Sequence, residues 1–189
     1  MTNLVVGIDV GGSKKGFHLV NMIPGSVGIR GIKHSQSVDD VLSLLGKLGR
    51  EVLVAVDCPP KCQLSGDRTR FAERQLHQRG FRVQWTRRQS HDPAEWMQNG
   101  TALWTALAGL DGVSVIETFP RVATASLHGS GVVLPLTVFS PYTGRRDWKD
   151  FVDVAICAEV GDRYLRANAA SVGFDPATGE TDELGLIWF

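Results

Sequence analysis

Five carboxylates in this 189-residue chain stand where a sheet and a helix could bring them together. The strings "LVVGID", "EVLVAVD" and "GVSVIE" are short, β-branched apolar runs that end on Asp9, Asp57 and Glu117. Such runs read as buried strands, and the carboxyl edge of an open α/β sheet is where ligand sites form. The stretch "KDFVDVAICAEV", Lys149 to Val160, carries the other two acids. Phe151, Val154, Ala155 and Ala158 recur there at helical spacing, while Asp150 and Asp153 lie three residues apart on one side of the first turns. The free N–H groups of a helix N-terminus attract carboxylates, which accounts for Asp147 and Asp150 better than for Asp153.

Two carboxylates about 4 Å apart repel by about 4 kcal/mol at an effective dielectric of 20. Four or five gathered together would raise one another's pKa strongly unless a cation offset the charge. Mg²⁺ or Mn²⁺ suits such oxygen donors, and a pair of these ions can activate water and stabilise the leaving oxygen of a phosphodiester. The expected function is therefore a divalent-metal-dependent nuclease, with Asp9, Asp57, Glu117, Asp150 and Asp153 as catalytic residues. Asp9, Asp57, Asp150 and Asp153 would be the metal ligands.

The elements that must position these acids read as follows. Strands are predicted at Leu4 to Val10, Phe17 to Ile23 and Ser26 to His34, then a helix capped by Ser37 with Asp40 at its third position. "EVLVAVD" is a buried strand stopped by "CPP". Asp67 is a candidate cap for a helix through Arg79 with Gly80 at its end, "FRVQW" a short strand, and "DPAE" the opening of a helix toward Ala108. "GVSVIETF" is a strand, Pro120 to Leu127 a short helix, and "HGSGVVLPLTVFSPYTGRRD" a Gly/Ser/Pro-rich connection. The apolar end of "ETDELGLIWF" must pack somewhere, as an edge strand or a dimer contact. Three strands, a helix, then alternating strands and helices predict one α/β domain, residues 1–189, with a mixed sheet covered on both faces. That is the ribonuclease H-like layout.

An apolar fraction of 43% with 21% charged residues is ordinary for a globular chain. No apolar run approaches a membrane span. The start lacks a basic segment, so a signal peptide is not expected, and three cysteines make no disulfide framework; a cytoplasmic protein follows. The five histidines show no metal-binding spacing. Zero net charge hides an asymmetry. Lys61 to Arg88 holds eight basic against two acidic residues, net +6, and Asp147 onward nine acids against three bases, net −6. The two could form a mutual ion-pair surface, or a phosphate-binding rim beside an acidic metal site. Arg70 and Arg74 share a helical face in "RFAER" and could hold phosphates, the alternative being ion pairs with Glu73 or the acidic C-terminal region. Arg121 follows Glu117 closely enough to approach the same site, and Lys14 and Lys15 lie on an exposed turn.

"GIDVGG", "VAVDCPP", "RFAERQLHQRG", "ETFPRVA" and "KDFVDVAICA" occur in the order seen in the predicted ribonuclease H-like nucleases called domain-of-unknown-function family 429, and the chain resembles that family from about Val5 to Leu165. The resemblance implies a ribonuclease H-like fold with Asp9, Asp57, Glu117, Asp150 and Asp153 as its acidic positions. The Asp-x-x-Asp helix is similar to that of Holliday-junction resolvases sharing the fold; junction cleavage would need a homodimer. Nucleic acid, RNA or DNA, is the expected partner. "GIDVGGSKKG" is also similar to the phosphate-binding start of sugar kinases and actin-like ATPases, so a nucleotide-binding half-domain acting as a dimer is the second reading. A non-catalytic ribonuclease H-like binding module is the third.

Overall fold

The computed structural model describes residues 4–26, 29–48, 51–62, 69–83, 86, 93–129 and 147–189. β1 (Leu4–Val10), β2 (Phe17–Met22) and β3 (Ile29–Ser35) form an antiparallel meander, and α1 (Val38–Gly46) follows. β4 (Val52–Asp57), α2 (Phe71–Gln78), α3 (Glu95–Leu107), β5 (Val113–Thr118), α4 (Pro120–Gly129) and α5 (Trp148–Leu165) come next, then the short strands β6 (Ser171–Val172) and β7 (Ile187–Trp188). The seven strands make one mixed sheet in the order β3-β2-β1-β4-β5-β7-β6. β1, β4, β5 and β7 run parallel, so their carboxyl ends share one edge.

Every residue of β1 is buried, as a central strand covered on both faces requires. Val6, Ile8 and Val10 join Val54 and Val56 in a core with Val41 and Leu45 of α1 and Leu103 and Leu107 of α3. On the opposite face, Val5, Leu53 and Ala55 pack with Phe151, Val154 and Ala158 of α5. A third cluster joins α2, α4 and the outer side of α5 to Val172, Ile187 and Phe189. No helix among the described residues is long and apolar enough to cross a membrane.

Ser37 caps α1 as expected, its hydroxyl accepting from Asp40 N at 3.1 Å. Three expectations need correction. Phe81–Val83 form no strand; Phe81 and Val83 pack as loop residues against the third cluster. α3 begins at Glu95, with Ala94 at its cap, and α2 at Phe71; Asp92 and Asp67, the expected caps, lie outside the described residues. The tail does form a strand, but β7 lies one place in from the edge, which β6 occupies. Most of the Gly/Ser/Pro-rich connection, 130–146, is also outside the described residues.

α5 lies on β1 backbone to backbone. A Cβ at Gly7 would stand 2.1 Å from Val154 O and 2.7 Å from Ala158 N. Gly46, at the end of α1, has nothing within 4 Å of such a position. Gly7→Ala is expected to lower stability by about 1–3 kcal/mol, the cost of overpacking a filled core. Gly46→Ala should raise it by about 0.5–1 kcal/mol; urea melts of the two variants check the pair.

Candidate metal centre

Strand pairing decides which acids meet. Asp9 is the register partner of Asp57 on β4 and of His18 on β2, and register partners point to the same face. That is the α5 face, because Val5, Ala55 and Val20 of the same parity pack against α5. Glu117 pairs with Val56, one residue short of Asp57, so its side chain leaves the sheet on the other face. Thr118 takes the α5 side instead and donates to Cys157 Sγ at 3.1 Å.

The structure therefore brings Asp9, Asp57, Asp150 and Asp153 toward one corner; Glu117 leaves the sheet on the opposite face but lines the same cavity as Asp9 and Asp57. Lys15 Nζ bridges the strand and the helix, 3.1 Å from Asp9 Oδ2 and 2.6 Å from Asp150 Oδ1. Asp153 is pushed up to about 6 by burial and by the charges of Asp9 and Asp150. Burial, with the charges of Asp9 and Asp153, raises Asp57 well above the ordinary aspartate range. Asp9 is also raised by burial, against the pull of Lys15.

His18 was not legible as a site residue, yet it completes the corner. It is 1% exposed, packs edge-on against Phe151 and lies with Nε2 3.4 Å from Asp147 Oδ2. A proton on Nε2 directed at Asp147 leaves the lone pair of a neutral imidazole on Nδ1. Burial favours that neutral form, lowering the His18 pKa despite the nearby aspartates. Nδ1 then faces Asp9 Oδ2 at 3.8 Å, and neither atom has a hydrogen-bond partner; Lys15 reaches Oδ2 in ion-pair range only. The Lys15 ammonium supplies a cation to Asp9 Oδ2, while the buried His18 Nδ1 is left without a hydrogen-bond partner. Donor atoms of Asp9, His18 and Asp150 all lie within 4.8 Å of one another. The donor set fits a divalent ion, and the Asp147–His18 contact is the arrangement that orients a histidine ligand.

On the far face, Glu117 is locked to Arg70. Nη1 donates to both carboxylate oxygens at 2.9 Å, Nη2 donates to Gly185 O at 3.2 Å, and Nε lies 3.1 Å from Asp182 Oδ1. The Arg70 side chain is fully buried, so of the two readings offered by "RFAER" this residue takes the ion-pair one, with the acidic C-terminal segment as partner. Asp182 also accepts from Ala72 N at 2.8 Å, tying the tail to the first turn of α2. Burial pushes Glu117 up to about 7 against the attraction of Arg70. Arg74 and Arg121 are exposed on α2 and α4, Arg74 over the Phe71 ring.

The "GGSKKG" turn is pinned rather than open. Ser13 N and Oγ both donate to Glu95 Oε2, at 3.0 and 2.8 Å. Beside the acids a cavity of about 320 Å³ is lined by Asp9, Lys15, Asp57, Glu73 and Glu117 together with apolar residues that include Leu76 and Phe119.

No protein-family model, curated protein or solved structure matches the chain.

Arg70→Met leaves Glu117 and Asp182 buried without their cation and is expected to cost about 3–5 kcal/mol in a urea melt; adding Glu117→Gln should recover part of the loss. A second expectation concerns pH. Asp153 binds its proton more tightly folded than unfolded, so the stability this gives is complete below the unfolded value of 3.8 and lost as the pH rises through about 6. With a chelator present, the melting temperature of Asp153→Asn should rise relative to that of the unsubstituted chain between about pH 4 and pH 7.

Proposed function

We propose that the chain is a ribonuclease H-like, divalent-metal-dependent phosphodiesterase acting on nucleic acid, related to domain-of-unknown-function family 429. The antiparallel meander β1-β2-β3 followed by parallel β4 and β5 supports the fold reading. The observation that carries the chemistry is the convergence of donor atoms of Asp9, His18 and Asp150 within 4.8 Å of one another, with the buried His18 Nδ1 lacking a hydrogen-bond partner.

Asp9, His18 and Asp150 would hold the ion. An imidazole among the donors favours Mn²⁺ over Mg²⁺. When bound, the ion supplies Lewis-acid activation of a water and offsets charge at the phosphate. The remaining tasks fall to the chain. Asp147 fixes the His18 ring, and Asp57 and Asp153, which burial and mutual repulsion make better proton acceptors than ordinary aspartates, take the proton of the attacking water. The cavity next to them would take one nucleotide unit, with Leu76 and Phe119 offering apolar contact to the base. Arg74 and Arg121 are the phosphate contacts of this reading outside the cavity. Glu117, held by Arg70, lines the same cavity.

Calorimetric Mn²⁺ titration is expected to show saturable binding that weakens at least tenfold in Asp9→Asn and His18→Gln, and about 10- to 100-fold in Asp147→Asn. Mn²⁺-dependent cleavage of single-stranded RNA, single-stranded DNA or a branched junction should be lost in Asp57→Asn. Mn²⁺ binding that is unchanged in both Asp9→Asn and His18→Gln would sink the proposal.

A further inference from the structure

Lys15 belongs to an exposed turn, and its side chain is still 43% exposed, but its ammonium does not point at solvent. The turn folds it back. Gly11 N donates to Gly16 O at 2.8 Å, and Lys15 N and Gly16 N both donate to Gly12 O, at 2.9 and 2.8 Å. The aliphatic stem then lies across Gly11, where a Cβ would stand 2.5 Å from Lys15 Cβ and 2.7 Å from its Cγ and Cδ. Only a glycine leaves that path open. The turn is anchored from both sides, by Asn99 Nδ2 donating to Gly11 O at 2.8 Å, by Glu95 on Ser13, and by His34 Nε2 2.7 Å from Lys15 O. The head group ends on Asp9 Oδ2 and Asp150 Oδ1, both from residues of the candidate metal set, and it lines the cavity.

An ammonium and a divalent ion cannot both sit against the same two oxygens. We propose that Lys15 is a tethered cation that holds Asp9 and Asp150 together in the metal-free chain, competes with the divalent ion for them, and on release turns its ammonium into the adjoining cavity to bind the substrate phosphate. This inference rests on the metal reading above and adds a residue and an order of events: phosphate binding at Lys15 follows metal binding. The ammonium is a mobile point charge on a flexible stem, suited to move between two anionic partners in a way a bidentate guanidinium is not. Its neighbour Lys14 is exposed and serves as the internal control.

The test uses Mn²⁺ and thymidine 5′-monophosphate with the full chain, its Lys15→Met variant, which keeps the stem over Gly11, and Lys14→Met. Calorimetry should show Mn²⁺ binding at least tenfold tighter in Lys15→Met than in the unsubstituted chain or Lys14→Met. The Mn²⁺-loaded Lys15→Met protein should bind the nucleotide at least tenfold more weakly than the Mn²⁺-loaded unsubstituted chain. Without Mn²⁺ the unsubstituted chain should bind it no better than Lys15→Met does. Mn²⁺ affinity that is unchanged or weaker in Lys15→Met overturns the competition, and unchanged nucleotide affinity overturns the phosphate contact, while the metal reading survives either result. Absence of Mn²⁺ binding by both proteins overturns the metal reading and this inference with it. Lys15→Gln, which keeps a polar head, repeats the comparison should the methionine variant fold poorly.

Discussion

The close seat of α5 on β1 is the constraint on which the rest of the structure depends. With no side chain at Gly7, the carbonyl of Val154 and the amide of Ala158 approach the strand backbone at distances a methyl group would forbid. The contact fixes how far along the strand α5 sits, and with it where its first two turns project. Asp150 and Asp153 consequently arrive at the carboxyl edge of β1 beside Asp9 and Asp57. The large apolar face of α5, from Phe151 to Val160, supplies the driving force that holds these like charges near one another.

Two sets of acids are handled in two ways. On the far face Glu117 and Asp182 converge on a single buried guanidinium, whose fork satisfies a carboxylate and a backbone carbonyl at once. That solution is static: every partner is internal, and it joins α2, β5 and the tail. On the α5 face a half-exposed lysine on a turn bridges Asp9 and Asp150, and the His18 Nδ1 beside them has no hydrogen-bond partner. Each cluster keeps a buried atom with an ion pair and no hydrogen bond, Arg70 Nε against Asp182 and Asp9 Oδ2 against Lys15; what differs is that the lysine is half exposed and the guanidinium fully buried.

Much of this was readable from the chain. The β-branched runs, the Ser37 cap and the terminal acids of three strands follow from local rules that the structure obeys. The parity of Glu117 does not: it depends on Val56 rather than Asp57 being its register partner, an offset set by tertiary packing and not by either strand's own pattern. His18 carried a faint signal, a polar residue inside a mostly apolar strand, but only the pairing of β2 with β1 puts it opposite Asp9. The destination of the Lys15 head group needed the fold of the turn over Gly11, and the fate of Arg70 needed the tail to come back across α2. Helix starts were less legible still, since Glu73 reaches back to Arg70 N and begins α2 at Phe71 with no conventional cap.

The turn and β2 are far along the polymer from the first turn of α5: His18 and Asp147, whose side chains meet, are separated by 129 residues. A positive charge shared between Asp9 and Asp150 is therefore a reversible cross-link closing one of the longest loops in the chain. Loop-closure entropy grows only logarithmically with length, but a link of that span constrains nearly the whole unfolded ensemble. Whatever cation occupies the corner thus acts on the molecule as a staple, and exchanging a monovalent head group for a stronger one would tighten the attachment of α5 to the sheet as well as change the chemistry at its edge.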